Sequence, residues 1–210
     1  MSSDGTKLAA CVGGNYSGYI YTSTDGGNSC TEQSSAGSRK WSRLTMSSDG
    51  TKLAACEYGG CIYTSTDGGN TWTEKKNAGI GNWKSITMSS DGTKLAACTD
   101  GYIYISTNGG NNWTERNSAG SRNWYSIAIS SDGTKLAACV IGGCIYTSTD
   151  GGNNWTEKKN AGIGNWKSIT MSSDGTKLAL VYIVVISTHL RMVEIIGQSK
   201  LLLDGVAGEV

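Results

Sequence analysis

Seven cysteines are the residues of this 210-residue chain whose type and spacing could most readily do chemistry. Cys56 and Cys61 flank one short segment, and Cys139 and Cys144 flank a second that copies it. A zinc site, two cross-strand disulfides and buried free thiols are the three interpretations. Four ligands cannot converge on one ion from two segments that lie two repeats apart. The pattern therefore favours buried thiols, then disulfides, and we predict no metal and no cofactor.

Carboxylates are the second group that could support catalysis or bind calcium. Nearly all of them recur as turn or strand-end residues of a repeat, as Asp49, Asp91, Glu74 and Glu157 do. The sequence Asp-Gly-Gly-Asn resembles a calcium loop but lacks the further carboxylates that such a loop needs. His189 is the only histidine. We therefore predict no catalytic residue and no enzyme activity.

Composition excludes two classes of partner. The formal net charge of +1 lacks the excess positive charge of a nucleic-acid-binding protein. The longest apolar stretch, Leu178 to Ile186, is too short to span a bilayer, so no membrane insertion is expected. No signal peptide is visible at the start of the sequence, and the compartment stays unknown.

An internal repeat dominates the sequence and indicates its architecture. The string Ser-Ser-Asp-Gly-Thr-Lys-Leu-Ala starts at Ser2, Ser47, Ser89, Ser130 and Ser172. The copies are separated by 45, 42, 41 and 42 residues. No segment has the spacing of apolar residues that a helix requires.

One period predicts four short strands joined by tight turns. We expect them at Trp83–Met88, Thr93–Cys98, Tyr102–Ile105 and Trp113–Glu115, with Asp-Gly and Asn-Gly pairs in the turns. Four strands in about 42 residues are typical of one β-propeller blade. The sequence thus predicts an all-β protein with four to five four-stranded blades, in an open or incomplete ring. A solenoid is the alternative.

The turn after the third strand carries the motif Ser-x-Asp-x-Gly-x-x-Trp. Its Asp can accept hydrogen bonds from the loop backbone, its Gly permits left-handed conformations, and its Trp covers the hairpin. If Trp72 is well buried, replacing it with alanine should cost about 3–5 kcal/mol. Asn108, which replaces Asp in the third copy, should still cap its loop. The four copies comprise Ser23, Asp25 and Gly27; Ser65, Asp67, Gly69 and Trp72; Ser106, Asn108, Gly110 and Trp113; and Ser148, Asp150, Gly152 and Trp155.

This motif resembles the Asp-box, also called the bacterial neuraminidase repeat. The family includes sialidases, other glycosidases, sortilin-type receptors and photosystem II assembly factors. The resemblance covers roughly residues 2 to 182 and implies a β-propeller with its Asp-boxes on outer hairpins, away from the centre. It also implies an extracellular location.

A sialidase-like site would need an arginine cluster, a Tyr–Glu pair and an acid. Arg39 and Arg122 occupy equivalent loops and could face a common centre, but no unique carboxylate stands beside them. We therefore predict a non-catalytic scaffold that binds an unidentified protein or glycan. A glycoside hydrolase and an assembly factor resembling the photosystem II factor are the alternatives. Tyr16, Tyr58 and Tyr125 could stack on sugars or peptides, although surface tyrosines are the simpler interpretation.

The two ends depart from the repeat. Met1 aligns with Met46 and Met88, which predicts that it ends a first strand whose remainder is missing. The repeat region is predicted over residues 1–182, and residues 183–210 read as a frameshifted repeat, because residues 185–204 match the expected continuation read one base later. The strand from Trp166 could complete the first blade and close a four-bladed ring. Otherwise open sheet edges would favour self-association.

Overall fold

The computed structural model describes residues 1–13, 16–183, 190–196 and 199–202, and it describes side chains as far as residue 181. Each repeat forms one set of antiparallel strands, which is called a blade below, and strand pairing joins the last two blades into one eight-stranded sheet. Blade 1 has three strands, and each later blade has four. The strands are β1 Leu8–Cys11, β2 Ile20–Ser23 and β3 Thr31–Gln33; β4 Trp41–Met46, β5 Leu53–Gly60, β6 Ile62–Ser65 and β7 Thr73–Lys75; β8 Gly81–Asn82, which pairs with β5; β9 Ser85–Met88, β10 Leu95–Cys98, β11 Ile103–Ser106 and β12 Thr114–Glu115; β13 Trp124–Ile129, β14 Leu136–Gly143, β15 Ile145–Ser148 and β16 Thr156–Lys158; and β17 Gly164–Met171, β18 Lys177–Ile183, β19 Leu190–Ile196 and β20 Ser199–Leu202.

Turn chemistry explains why the chain breaks into strands at these points. Gly92 ends the Asp-Gly turn between β9 and β10 with a φ of 65°, which favours glycine. One 3-10 turn precedes the first strand of each of blades 2 to 5. The sequence analysis did not predict these turns, because they are too short to show a helical spacing of apolar residues. None of the helical segments among the described residues could span a bilayer. The 3-10 turns are Ser34–Ala36, Lys76–Ala78, Asn117–Ala119 and Lys159–Ala161.

The hydrophobic core lies between neighbouring blades. Alternate residues of β10 enter different cores: Ala97 packs toward Trp83 and blade 2, whereas Ala96 and Cys98 pack toward Trp124 of blade 4. All four residues of β10 are buried, because a sheet covered on both sides has no exposed face. Small alanines at these positions let the blades approach closely.

Hydrogen bonds also connect each blade to the next. The Ser48 N–H donates to the Ser90 carbonyl at 2.9 Å, and the Ser90 N–H donates to the Ser131 carbonyl at the same distance. The Lys52 ammonium donates to the Asp91 carbonyl at 2.7 Å. Equivalent bonds recur along the repeat, so one set of residues builds both the turn and the blade interface.

The prediction that the strand from Trp166 completes blade 1 is wrong. β17 pairs with β18 in blade 5, and the register partners of β1 within the described residues all lie on β2. The structure is therefore an open arc of five blades. The predicted frameshifted tail overlaps β19 and β20, but residues 184–189, 197–198 and 203–210 of it lie outside the described residues.

Candidate functional site

The four turns that join third and fourth strands are called the motif turns below, and each is closed by its own side chains. Ser65 Oγ donates to Asp67 Oδ1 at 2.8 Å and accepts from the Gly69 N–H at 2.9 Å. Asp67 Oδ1 accepts from the Thr71 N–H at 2.9 Å. The Trp72 indole N–H donates to the Gly69 carbonyl at 2.8 Å. All of these partners lie within one turn, so the motif side chains stabilise the hairpin.

The third motif turn keeps this geometry although Asn108 replaces the aspartate. Asn108 Oδ1 accepts from the Asn112 N–H at 2.9 Å, as expected for a cap. In the fourth turn, Asp150 accepts from the Asn154 N–H at 2.9 Å and also from the Asn154 side chain at 2.7 Å. The amide nitrogen of Asn108 cannot accept that second bond.

Restoring the carboxylate should therefore stabilise the third turn. We expect Asn108→Asp to raise the free energy of unfolding by about 0.5–1.5 kcal/mol, because Asn112 matches Asn154 and can make the same bonds. The reverse change, Asp150→Asn, is the matched control and should lower it by a similar amount. Urea unfolding at pH 7 measures both variants, and an unchanged midpoint in both would show that the second acceptor contributes nothing.

Aspartates in a second family of turns make the same kind of bonds. Ser89 Oγ donates to Asp91 Oδ1 at 2.6 Å, and the Thr93 N–H donates to the same oxygen at 3.0 Å. The Ser89 hydroxyl is the main cause that lowers the pKa of Asp91 to about 2. In the motif turn, the Thr71 hydroxyl lowers the pKa of Asp67 to about 2. These carboxylates are therefore ionised acceptors at neutral pH, not proton donors.

Each motif-turn tryptophan belongs to a group of three aromatic rings. Trp83 packs edge-on against Tyr104, with 5.1 Å between ring centroids, and lies 6.4 Å from Trp113. Trp83 is fully buried, whereas Trp72 and Trp113 are half-buried. The large loss of stability predicted for Trp72→Ala required a well-buried ring, and Trp72 is only half-buried. The tryptophan of the first strand is instead the main core residue. The sequence motif did not single it out, although its recurrence at Trp41, Trp83 and Trp124 was a visible signal.

The cysteines face opposite sides of their sheet. Cys56 lies opposite Ile62 in the core between blades 2 and 3, while Cys61 lies in the core between blades 1 and 2. A disulfide between Cys56 and Cys61 is therefore ruled out by the alternation of side chains along a strand. Cys139 and Cys144 are separated in the same way. Burial raises the pKa of Cys56 to about 12, so it is a protonated thiol at neutral pH.

Arg39 is bound within its own blade. Its guanidinium lies 4.4 Å from the Tyr63 ring centroid and 3.5 Å from Glu57, and its Nε donates to the Ala36 carbonyl at 2.9 Å. Arg122 similarly lies 4.6 Å from the ring of its own blade's tyrosine. The sequence did not single out Glu57, which stands where the other copies carry no carboxylate. Each arginine thus stabilises the loop that leads into its own blade, by contacting the preceding 3-10 turn and a tyrosine ring of the blade.

The two ends of the blades differ in chemistry. The aspartate turns and motif turns share one end, called the turn face. The hairpins between second and third strands share the other end with the 3-10 loops, and this end is called the hairpin face. Among the described large apolar side chains that are exposed, Met1 lies on the turn face, and the rest lie on the hairpin face. The latter are Val12, Tyr16, Tyr58, Ile80 and Ile163.

Aromatic rings and cations also meet on the hairpin face. The Lys84 ammonium lies 4.6 Å from the centroid of the exposed Tyr58 ring, and Lys167 lies 4.7 Å from that of the half-buried Tyr125. Ile80 and Ile163 are 81% and 78% exposed. These exposures are high for isoleucine, which is normally buried.

The turn face carries three equivalent clefts between neighbouring blades. The cleft between blades 1 and 2 has a volume of 310 Å³, the cleft between blades 2 and 3 has 270 Å³, and the cleft between blades 3 and 4 has 280 Å³. Each is lined by a lysine of an aspartate turn and by residues of a motif turn. The repetition shows that the shape of these clefts follows from blade packing.

Comparison with known proteins identifies the fold. No family model and no curated protein matches the chain. Among solved structures, a GH74 enzyme from Niastella koreensis is similar over 97% of this chain and 30% of its own, with 20% identity and a TM-score of 0.70. A chain of the nidogen/laminin complex is similar over 95% of this chain and 78% of its own, with 14% identity and a TM-score of 0.72. YCF48 bound to a D1 peptide is similar over 90% of this chain and 68% of its own, with 14% identity and a TM-score of 0.58.

The chain has an incomplete β-propeller fold. It spans less than a third of the length of the Niastella GH74 enzyme that it matches. The predicted all-β fold with four to five blades is confirmed, and the open form of the propeller is the one that the structure adopts.

Proposed function

We propose that this propeller is a non-catalytic binding scaffold whose hairpin face docks a protein segment with acidic and apolar side chains. The observation that carries the proposal is the concentration of exposed apolar residues on that face, above all Ile80 and Ile163. Exposed apolar side chains that share one face of a protein indicate an interaction site, whereas apolar side chains exposed singly are ordinary.

Charge on the hairpin face supports an acidic partner. Arg39 is paired with Glu57. Lys84 and Lys167 lie over tyrosine rings, and neither forms an ion pair with an acidic side chain among the described residues. A carboxylate of the partner could reach these ammonium groups while its apolar side chains cover the isoleucines. Neighbours of the same fold were solved with a D1 peptide and in a nidogen/laminin complex, which is consistent with protein partners.

We also infer that the motif turns are Asp-boxes. Their Ser, Asp and Gly make the local bonds that the motif requires, and they lie on outer hairpins. The glycoside-hydrolase alternative gains support from the GH74 neighbours, while the separate positions of Arg39 and Arg122 favour the scaffold. The assembly-factor alternative would require one specific membrane-protein partner.

A displayed peptide library tests the proposed face. We expect selection on the intact protein to enrich extended 12-residue peptides with acidic and apolar residues. Ile80→Ser combined with Ile163→Ser should weaken the selected peptides at least about tenfold, because each isoleucine loses buried apolar area. The control is Thr24→Ala combined with Thr66→Ala, two exposed positions on the turn face. Equal binding to both double variants would overturn the proposal.

A further inference from the structure

The cleft between blades 3 and 4 differs from the two equivalent clefts in one lining side chain. Arg116 lines it, directly after β12, where the other two clefts have Gln33 and Lys75. Both of these side chains have a partner. The Gln33 amide donates to the Thr22 hydroxyl at 2.7 Å, and the Lys75 ammonium donates to Asn111 Oδ1 at 2.9 Å.

The side chain of Arg116 has no comparable partner. Its Nε is buried without a hydrogen-bond acceptor, and its guanidinium forms no ion pair among the described residues. Two sequence changes account for this. Ile105 stands where blade 1 has its threonine acceptor, and isoleucine has no polar atom on its side chain. Asn153, the copy of Asn111, directs its side-chain amide to the Asp150 carbonyl at 2.6 Å instead.

The charges that line this cleft favour an anion. Besides Arg116, the Lys94 ammonium lies there and donates to a backbone carbonyl at 2.8 Å, which leaves further N–H groups to donate. Asp150 is the one carboxylate among the described lining residues. Both of its oxygens already accept hydrogen bonds within the motif turn, from Ser148 and Asn154. The cleft thus carries two cations and one carboxylate that is already bonded.

The wall of the cleft is partly apolar. Ile105, Ile129 and Leu136 line it, and its volume is 280 Å³. Arg116 is half-buried, so its charge lies beside this apolar wall and is only partly solvated. An opposite charge in such surroundings is attracted more strongly than in water.

We propose that this cleft binds a small organic carboxylate. The carboxylate binds the guanidinium of Arg116, and its apolar part lies against Ile105, Ile129 and Leu136. A guanidinium and a carboxylate match in a bidentate geometry. An acceptor from the ligand would also remove the cost of leaving a buried N–H unpaired. The site opens on the turn face and is separate from the hairpin face.

NMR titration of the ¹⁵N-labelled protein with isocaproate tests the proposal, at about pH 6, where the carboxylate is ionised. The Nε–H signal of Arg116 and the backbone N–H signal of Asn153 should shift saturably, with a Kd of about 1 mM or tighter. Isocaproamide has the same shape without the charge, and inorganic phosphate has charge without the apolar part. Each should bind at least about tenfold more weakly than isocaproate.

Two variants copied from other blades remove the proposed site while keeping residues that the repeat accepts. Arg116→Lys keeps the charge but lacks the guanidinium fork, and should weaken binding at least about tenfold in the Asn153 signal. Arg116→Gln combined with Ile105→Thr reproduces the bonded pair of blade 1 and should weaken it at least as much. The control, Lys75→Gln in the cleft between blades 2 and 3, should change the Kd less than about twofold.

Three results would overturn the proposal. The first is no saturable shift in the unmodified protein up to about 10 mM isocaproate. The second is equal affinity for isocaproate and for either isocaproamide or phosphate, which would remove the charge or the apolar contact from the argument. The third is an unchanged Kd in Arg116→Lys, which would show that the arginine does not hold the ligand.

Discussion

Replacing Trp83 with alanine is expected to lower the free energy of unfolding by about 3–5 kcal/mol, the usual cost of removing a fully buried large aromatic side chain. Trp83 is 1% exposed and packs on Tyr104 and Trp113 in the core between blades 2 and 3. The change would leave a cavity in this core, which also contains the buried side chains of Ile62, Ile86 and Leu95. Urea unfolding followed by circular dichroism measures the loss.

Two control variants separate ring packing from the indole N–H. Trp83 Nε1 is buried with no hydrogen-bond partner, so Trp83→Phe removes an unpaired donor and keeps an aromatic ring. Its cost should be clearly smaller than that of the alanine variant. Trp72→Ala removes a half-buried ring and should also cost less. If Trp72→Ala and Trp83→Ala were equally destabilising, the first-strand tryptophan would not be the main core residue.

Acidification is expected to produce the second large effect, because the turn aspartates titrate together. Their hydroxyl and backbone N–H donors stabilise the charged form and lower each pKa, to about 2 for most of them. The group comprises Asp4, Asp25, Asp49, Asp67, Asp91, Asp132, Asp150 and Asp174.

The direction of the effect follows from the lowered values. An unfolded aspartate has a pKa of about 3.9, so the stabilisation is fully present above that pH and is lost as the pH falls toward the folded pKa of about 2. The melting temperature should therefore be nearly constant from pH 7 to about 5 and fall most steeply between about pH 4 and 2. Thermal unfolding across this range measures it.

A variant with fewer turn carboxylates provides the control. Asp67→Asn combined with Asp150→Asn should show a smaller fall in melting temperature below pH 4, because two of the titrating groups are gone. The natural Asn108 shows that the motif turn forms without a carboxylate. A melting temperature that stays flat down to pH 2 in both proteins would contradict the role given to these aspartates.

Local chemistry is the part of this structure that the sequence predicts well. The hydrogen bonds of a motif turn join Ser65, Asp67, Gly69 and Thr71, all within seven consecutive residues. Because these contacts need no distant partner, the spacing of residue types was enough to place the turns and the strands between them. The predicted strand at Thr93–Cys98 differs from β10 by two residues at its start.

Pairing between distant segments could not be predicted from the sequence with the same success. The separation of Cys56 from Cys61 depends on the register of β5 and β6, since a shift of one residue reverses the side to which a residue points. The position of the Trp166 strand depends on which sheet edge it joins, and the repeats offer several similar edges. The collection of exposed apolar residues on the hairpin face also depends on this assembly.

The sequence by itself determined the repeat, its four-strand period and the chemistry of its turns. Only the tertiary structure decided what surrounds each copy. The same four residues, Leu-Ala-Ala-Cys, are buried in blade 3 and partly exposed in blade 1. Their chemistry is identical, but burial depends on whether another strand lies on the inner edge. In blade 3 that strand is β9, whereas in blade 1 no described strand pairs there, so the four residues alone cannot specify their own burial.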